Sequence, residues 1–210
     1  MSYRLSIVYI SFLYLLACHP KPMAVDLQPA VVPEIPTAYI IEEQKEIFEH
    51  DGLRVEVSCL DKADLPAAGL TADQALYRVL TEGYFPIIKV AFYNNTDAQL
   101  VFSPQMMFMR EDMGVARSPM DYADIYMALG DKPADKKGLD TLSRLLLKSD
   151  LTLNAGKHGG GWLIFPRINP ETKLVQLLLN HLYLDGESRP LNFAFQTIPV
   201  MAGEDAKVAE

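Results

Sequence analysis

Alternation of apolar and polar positions marks much of the chain as strand. Leu53, Val55, Val57 and Cys59 alternate with Arg54, Glu56 and Ser58, the period of two of a half-buried strand. Ile88, Val90 and Phe92 alternate in the same way with Lys89, Ala91 and Tyr93. Asn94-Asn95-Thr96-Asp97 then supplies turn chemistry before residues 100–102, which predicts a hairpin. A further strand is predicted after Pro104, over residues 106–110. Another is predicted over 162–165, with Gly159-Gly160-Gly161 as a loop leading into it. Residues 173–184 read as one long strand, turned by Asp185-Gly186 towards Leu191, Phe193 and Phe195. About seven strands result.

Two stretches carry a helical period instead. Thr71 with Gln74 forms a capping-box pattern ahead of an apolar stripe of Ala75, Leu76, Val79 and Leu80, and Gly83 ends it. Residues 119–149 predict two short helices. Ser118-Pro119 opens the first, residues 130–133 break it, and Leu139, Leu142, Leu145 and Leu146 repeat at helical spacing. The long strand is apolar on both faces, with Val175, Leu177 and Leu179 on one and Leu174, Leu178 and Leu182 on the other. Such a strand must be covered twice, and the helices of 119–149 are the expected second cover.

The N-terminus reads as an address. In residues 1–17, Arg4 precedes an apolar core from Leu5 to Leu16, the length of a signal-peptide core and too short to span a bilayer. Leu15-Leu16-Ala17-Cys18 closes it, and this resembles the lipobox of bacterial lipoproteins. The resemblance implies cleavage between Ala17 and Cys18, diacylglycerol on the Cys18 sulfur and acylation of the new amine. Several chains on one residue make anchoring long-lived, because each buried methylene contributes about 0.8 kcal/mol. His19, where an aspartate would resemble an inner-membrane retention signal, points to the outer membrane with the domain facing the periplasm, if the source is Gram-negative. Residues 18–38 hold Pro20, Pro22, Pro29, Pro33 and Pro36. That density predicts an extended tether in which nothing packs. One domain is expected over 39–200, with a frayed tail at 201–210.

Within that domain the order is an apolar strand ending in an asparagine turn (IIKVAFYNNTD), an insertion, a glycine-preceded strand (LNAGKHGGGWLIF) and a long final hairpin. This resembles the immunoglobulin-like β-sandwich domains of small exported bacterial lipoproteins, over residues 53–196. The expected fold is therefore mainly β, an immunoglobulin-like β-sandwich of about seven strands with a helical insertion at 111–149.

Composition narrows the function classes. Half of the 210 residues are hydrophobic and 22% are charged, which is globular rather than disordered. Nineteen basic against 27 acidic residues give −8, which argues against a nucleic-acid partner. His19, His50, His158 and His181 show no metal-ligand spacing. The glycine run 159–161 has no following Lys-Ser or Lys-Thr and leads into a strand, so it is no phosphate loop. There is no G-x-S-x-G. Cys59 shares the parity of Val55 and Val57 and reads as a small core residue. Glu111, Asp112, Asp121 and Asp124 lack the EF-hand pattern and read as an acidic face. Met106, Met107, Met109 and Met113 carry thioethers suited to Cu(I), yet Met107 and Met109 share a strand face where methionine fills core gaps.

The leading expectation is a non-enzymatic binding or scaffold lipoprotein without metal or cofactor. It would be held to the membrane by its lipid anchor and contact another envelope protein. The competing classes are a periplasmic copper carrier and an envelope enzyme whose site is assembled from distant residues. The expected presenting surface is the insertion at 111–138, with Tyr122, Tyr126 and Met127 as anchors. Tyr122 and Tyr126 are four apart and share a helix face. That face could equally pack on the sheet.

Overall fold

Strand-forming alternation produces three antiparallel sheets in the computed structural model, which describes residues 24–30, 39–42, 45–130 and 135–200. The strands are β1 (Ala24–Pro29), β2 (Tyr39–Glu42), β3 (Lys45–His50), β4 (Leu53–Leu60), β5 (Ile87–Asn94), β6 (Leu100–Phe102), β7 (Met107–Glu111) and β8 (Ala116–Arg117). They continue as β9 (Leu151–Leu153), β10 (Lys157–Ile164), β11 (Leu174–Leu179), β12 (Leu182–Leu184), β13 (Glu187–Ser188) and β14 (Leu191–Val200). The helices are α1 (Ala75–Glu82), α2 (Tyr122–Leu129) and α3 (Lys136–Leu145). The chain is mainly β, with more strands than the seven expected.

One sheet runs β1-β14-β11-β7-β8 and a second runs β10-β5-β4-β3-β2. Their inner faces share one core. Val55, Val57, Ile88, Val90 and Phe92 of the second sheet pack with Met107, Met109, Val175, Leu177, Phe193 and Phe195 of the first. Each fully buried side chain of this kind contributes roughly 1.5–3 kcal/mol. The third sheet, β13-β12-β6-β9, extends the first. β6 and β7 run beside β12 and β11, and a break at Ser103–Met106 and Asn180–His181 divides the pairing. Ser103 N–H donates to the His181 carbonyl at 3.1 Å across the break.

That break corrects two expectations. Residues 173–184 are two strands in two sheets, and Asp185-Gly186 turns β12 into the short β13, while β14 returns beside β11. Both turn residues have positive φ, the requirement of a type I′ turn, and Asp51-Gly52 makes the same turn between β3 and β4. Residues 94–100 form no hairpin either. β6 pairs with β9 and β12, because the chain crosses from one sheet to another at Asn94. The fully buried Asn94 side chain satisfies the crossing, donating to the Ala98 carbonyl at 2.8 Å and the Leu153 carbonyl at 3.0 Å.

The tether reading also changes. Residues 24–29 form β1, which pairs along β14 from Ala24↔Val200 to Pro29↔Phe195, and Val25 is buried in the core. An edge strand ending in proline keeps its ladder, since the missing N–H falls at the last position. Ala17 and Cys18, the prolines at 20, 22, 33 and 36, and the tail 201–210 lie outside the described residues.

The helices cover a different strand from the one expected. Leu76, Val79 and Leu80 of α1, Ile125 and Leu129 of α2, and Leu139 and Leu142 of α3 form a second core. They pack on Ile87, Trp162 and Ile164, the outer face of β5 and β10. The parity of these strands explains it: Trp162 and Ile164 face out while Leu163 and Phe165 face the first core. Thr71 is not the cap of α1. Gln74 holds that position, and Asp135, 59 residues from Leu76, accepts from the Leu76 N–H at 3.0 Å. The other oxygen of Asp135 accepts from Gly138 N–H at 2.9 Å, so one carboxylate caps both α1 and α3.

Candidate functional site

The segment from the β7–β8 turn to α2 leaves several large apolar side chains exposed. Asp121 and Asp124 form a reciprocal capping box, with Asp124 N–H donating to Asp121 at 2.8 Å and Asp121 N–H to Asp124 at 3.0 Å. This fixes the start of α2, and Met120 N–H donates to the Ile164 carbonyl at 2.7 Å, pinning the entry to β10. Ile125 and Leu129 then face the second core. Tyr122 is 40% exposed, Tyr126 55% and Met127 68%. Before the helix, Met113 and Val115 at the β7–β8 turn are also exposed. Among the described residues, five of the seven large hydrophobic side chains that are exposed thus fall within residues 113–127.

The four clustered carboxylates are engaged in building this segment. Glu111 is buried, ion-paired with Arg117, and accepts from Thr172 Oγ1 at 2.7 Å and Asn169 N–H at 3.2 Å. Asp112 accepts from Lys173 N–H at 3.0 Å. Among the described residues no three His, Cys, Asp or Glu side chains converge to hold a metal ion. Met107 and Met109 are fully buried between the sheets, whereas Met106 and Met113 are exposed, so the methionines do not gather around one point of the surface.

Cys59 packs against the first core and borders a hollow of about 380 Å³ between β1, the end of β4 and α1. Burial pushes its thiol up, and the Glu46 and Asp26 carboxylates add to the shift, so the reactive thiolate is disfavoured. His181 stands edge-on to Tyr183, with ring centroids 5.9 Å apart.

The chain matches no family model, and comparisons with curated proteins and with solved structures found no match.

Two features escaped the sequence. Glu46 is buried on β3 and accepts from the Ala194 N–H of β14 at 2.8 Å, one residue past the last β1 pair at Phe195. Burial raises its pKa to about 7, with the Ala194 bond pulling the other way. The second is a trough of about 300 Å³ on the outer face of β5 and β10, bordered by Lys89, Tyr93, Arg144, His158, Gly160 and Trp162. The sequence signal for it was the polar parity of β5, Lys89-Ala91-Tyr93, which by itself reads as a solvated face. The run 159–161, expected as a loop, lies inside β10.

Proposed function

We propose that the chain is a membrane-anchored envelope lipoprotein that acts as a non-enzymatic binding or scaffold module, holding its domain near the membrane and contacting another envelope protein through α2. The observation that carries this reading is the gathering of exposed apolar side chains in residues 113–127. Scattered exposed apolar residues are ordinary, but aromatic and methionine side chains concentrated in one segment are the composition of an interface core. The capping box holds α2 in place without a partner, so the surface is pre-organised and loses little entropy on binding. The facing sheets, with helices on one outer face, support an elaborated immunoglobulin-like sandwich as the carrier.

The anchor rests on Leu15-Leu16-Ala17-Cys18. Cys18→Ser should abolish lipid labelling and accumulate the precursor; unchanged labelling and fractionation would refute the anchor. For the surface, Tyr122→Ala with Tyr126→Ala should abolish capture of the partner by the lipidated protein in crosslinked intact cells while the melting curve stays in place. Retained capture would refute the assignment.

A further inference from the structure

The trough on β5 and β10 has the chemistry of a ligand site, independently of α2. Its floor is Ala91 and Gly160, paired directly across the two strands. Gly160 can carry no side chain there, because a Cβ would stand 2.1 Å from the Val90 carbonyl oxygen. The floor therefore stays open. At one end Tyr93 and His158 stack, with centroids 6.1 Å apart and planes 27° from parallel. At the other, Lys89 comes from β5 and Arg144 from the last turn of α3. The chain after α3 is fastened to β10 by Leu147 N–H donating to the Trp162 carbonyl at 2.9 Å, which holds Arg144 beside the trough.

The two cations border the trough without carboxylate partners. Neither Lys89 nor Arg144 forms an ion pair among the described residues, and Arg144 reaches only the neutral Thr141 hydroxyl, at 3.4 Å. On the neighbouring β4, Glu56 stands opposite Ala91. Arg54 holds it at 2.8 Å and Lys45 at 3.8 Å. In a chain of net charge −8, two cations free of ion pairs among the described residues border one trough, whose floor is a methyl group and a glycine next to stacked rings.

We propose that this trough binds a small anion that carries an aromatic ring. The phosphate or carboxylate meets Lys89 and Arg144, the latter able to offer a forked pair of donors. The ring lies over Ala91 and Gly160 against Tyr93 and His158. A volume of about 300 Å³ is at the small end of ligand pockets, which fits a single ring.

Trp162 borders the trough and is the chain's only tryptophan, so its emission reports occupancy. The full chain in detergent is titrated with phenyl phosphate, inorganic phosphate and benzyl alcohol. Saturable quenching by phenyl phosphate is expected at millimolar concentration or below. The anion alone and the ring alone should each bind at least about tenfold more weakly. Lys89→Gln and Arg144→Gln should each weaken phenyl phosphate about tenfold. Lys89 is exposed, so its variant tests the site even if the Arg144 variant is less stable. Tyr93→Leu should weaken phenyl phosphate severalfold and leave inorganic phosphate unchanged. Absence of saturation, equal binding by folded Lys89→Gln, or equal affinity for phenyl phosphate and either fragment would overturn the proposal.

Discussion

β14 and α2 both carry aromatic side chains at regular spacing, and they dispose of them in opposite ways. Phe193 and Phe195 of β14 are fully buried, while Tyr122 and Tyr126 of α2 are about half exposed. The difference lies in what each element faces. β14 sits between β1 and β11, and its inward parity meets the opposite sheet across the core. α2 lies over the end of a sheet already covered by α1 and α3, and two residues, Ile125 and Leu129, suffice to seat it. Residues nearby on the helix then have nothing left to pack on. Burial in one region stabilises the fold; exposure in the other leaves apolar area free to bind.

The largest effect should come from β14. Phe193→Ala should lower stability by about 3–5 kcal/mol, read as a shifted denaturant midpoint. An unchanged midpoint would mean that the two elements do not differ as described.

Next is the carboxylate that meets β14 from the opposite sheet. Glu46 has a folded-state pKa of about 7 against an ordinary value near 4.5, so the folded protein holds this proton more tightly than the unfolded chain. Its contribution is intact below pH 4.5 and is lost as pH rises to 7, by about 3 kcal/mol in all. Glu46→Gln keeps an acceptor for Ala194 N–H and removes the charge. It should match the parent at pH 4 and exceed it at pH 8 by about 2–3 kcal/mol. Equal stability at both pH values would show that the group is solvated.

A smaller effect is expected where the helices are joined. Asp135→Ala removes caps from both α1 and α3 and should cost about 1–2 kcal/mol in thermal or chemical melting. A change of only a few tenths would mean that one helix does not depend on it. The smallest is at α2 itself: Tyr122→Ala with Tyr126→Ala should alter stability by no more than about 0.5 kcal/mol.

Much of the sheet architecture was legible because β4 and β5 alternate cleanly and each buries one face. Legibility failed where local chemistry imitates something else. Prolines hid β1, since their density reads as a tether unless β14 is known to lie alongside. Continuous leucines hid the break between β11 and β12, because Leu178 and Leu182 look like one strand's second face although they belong to different sheets. β3 was missed because Glu46, an inward-facing charge, spoils the alternation. The α2 anchors were named from their spacing, but whether that face packed or stayed free depended on α1 and α3. The polar parity of β5 reads only as a solvated face, because the trough exists only when β5, β10 and the end of α3 come together.

The central claim is that α2 is a contact surface, and a photo-crosslinking residue placed at position 126 in the lipidated protein in intact cells tests it most directly. One discrete adduct is expected there, absent when the same residue is placed at exposed position 188 and lost on adding Met127→Ala with Tyr122→Ala. No adduct at 126, or the same adduct from position 188, would contradict the account.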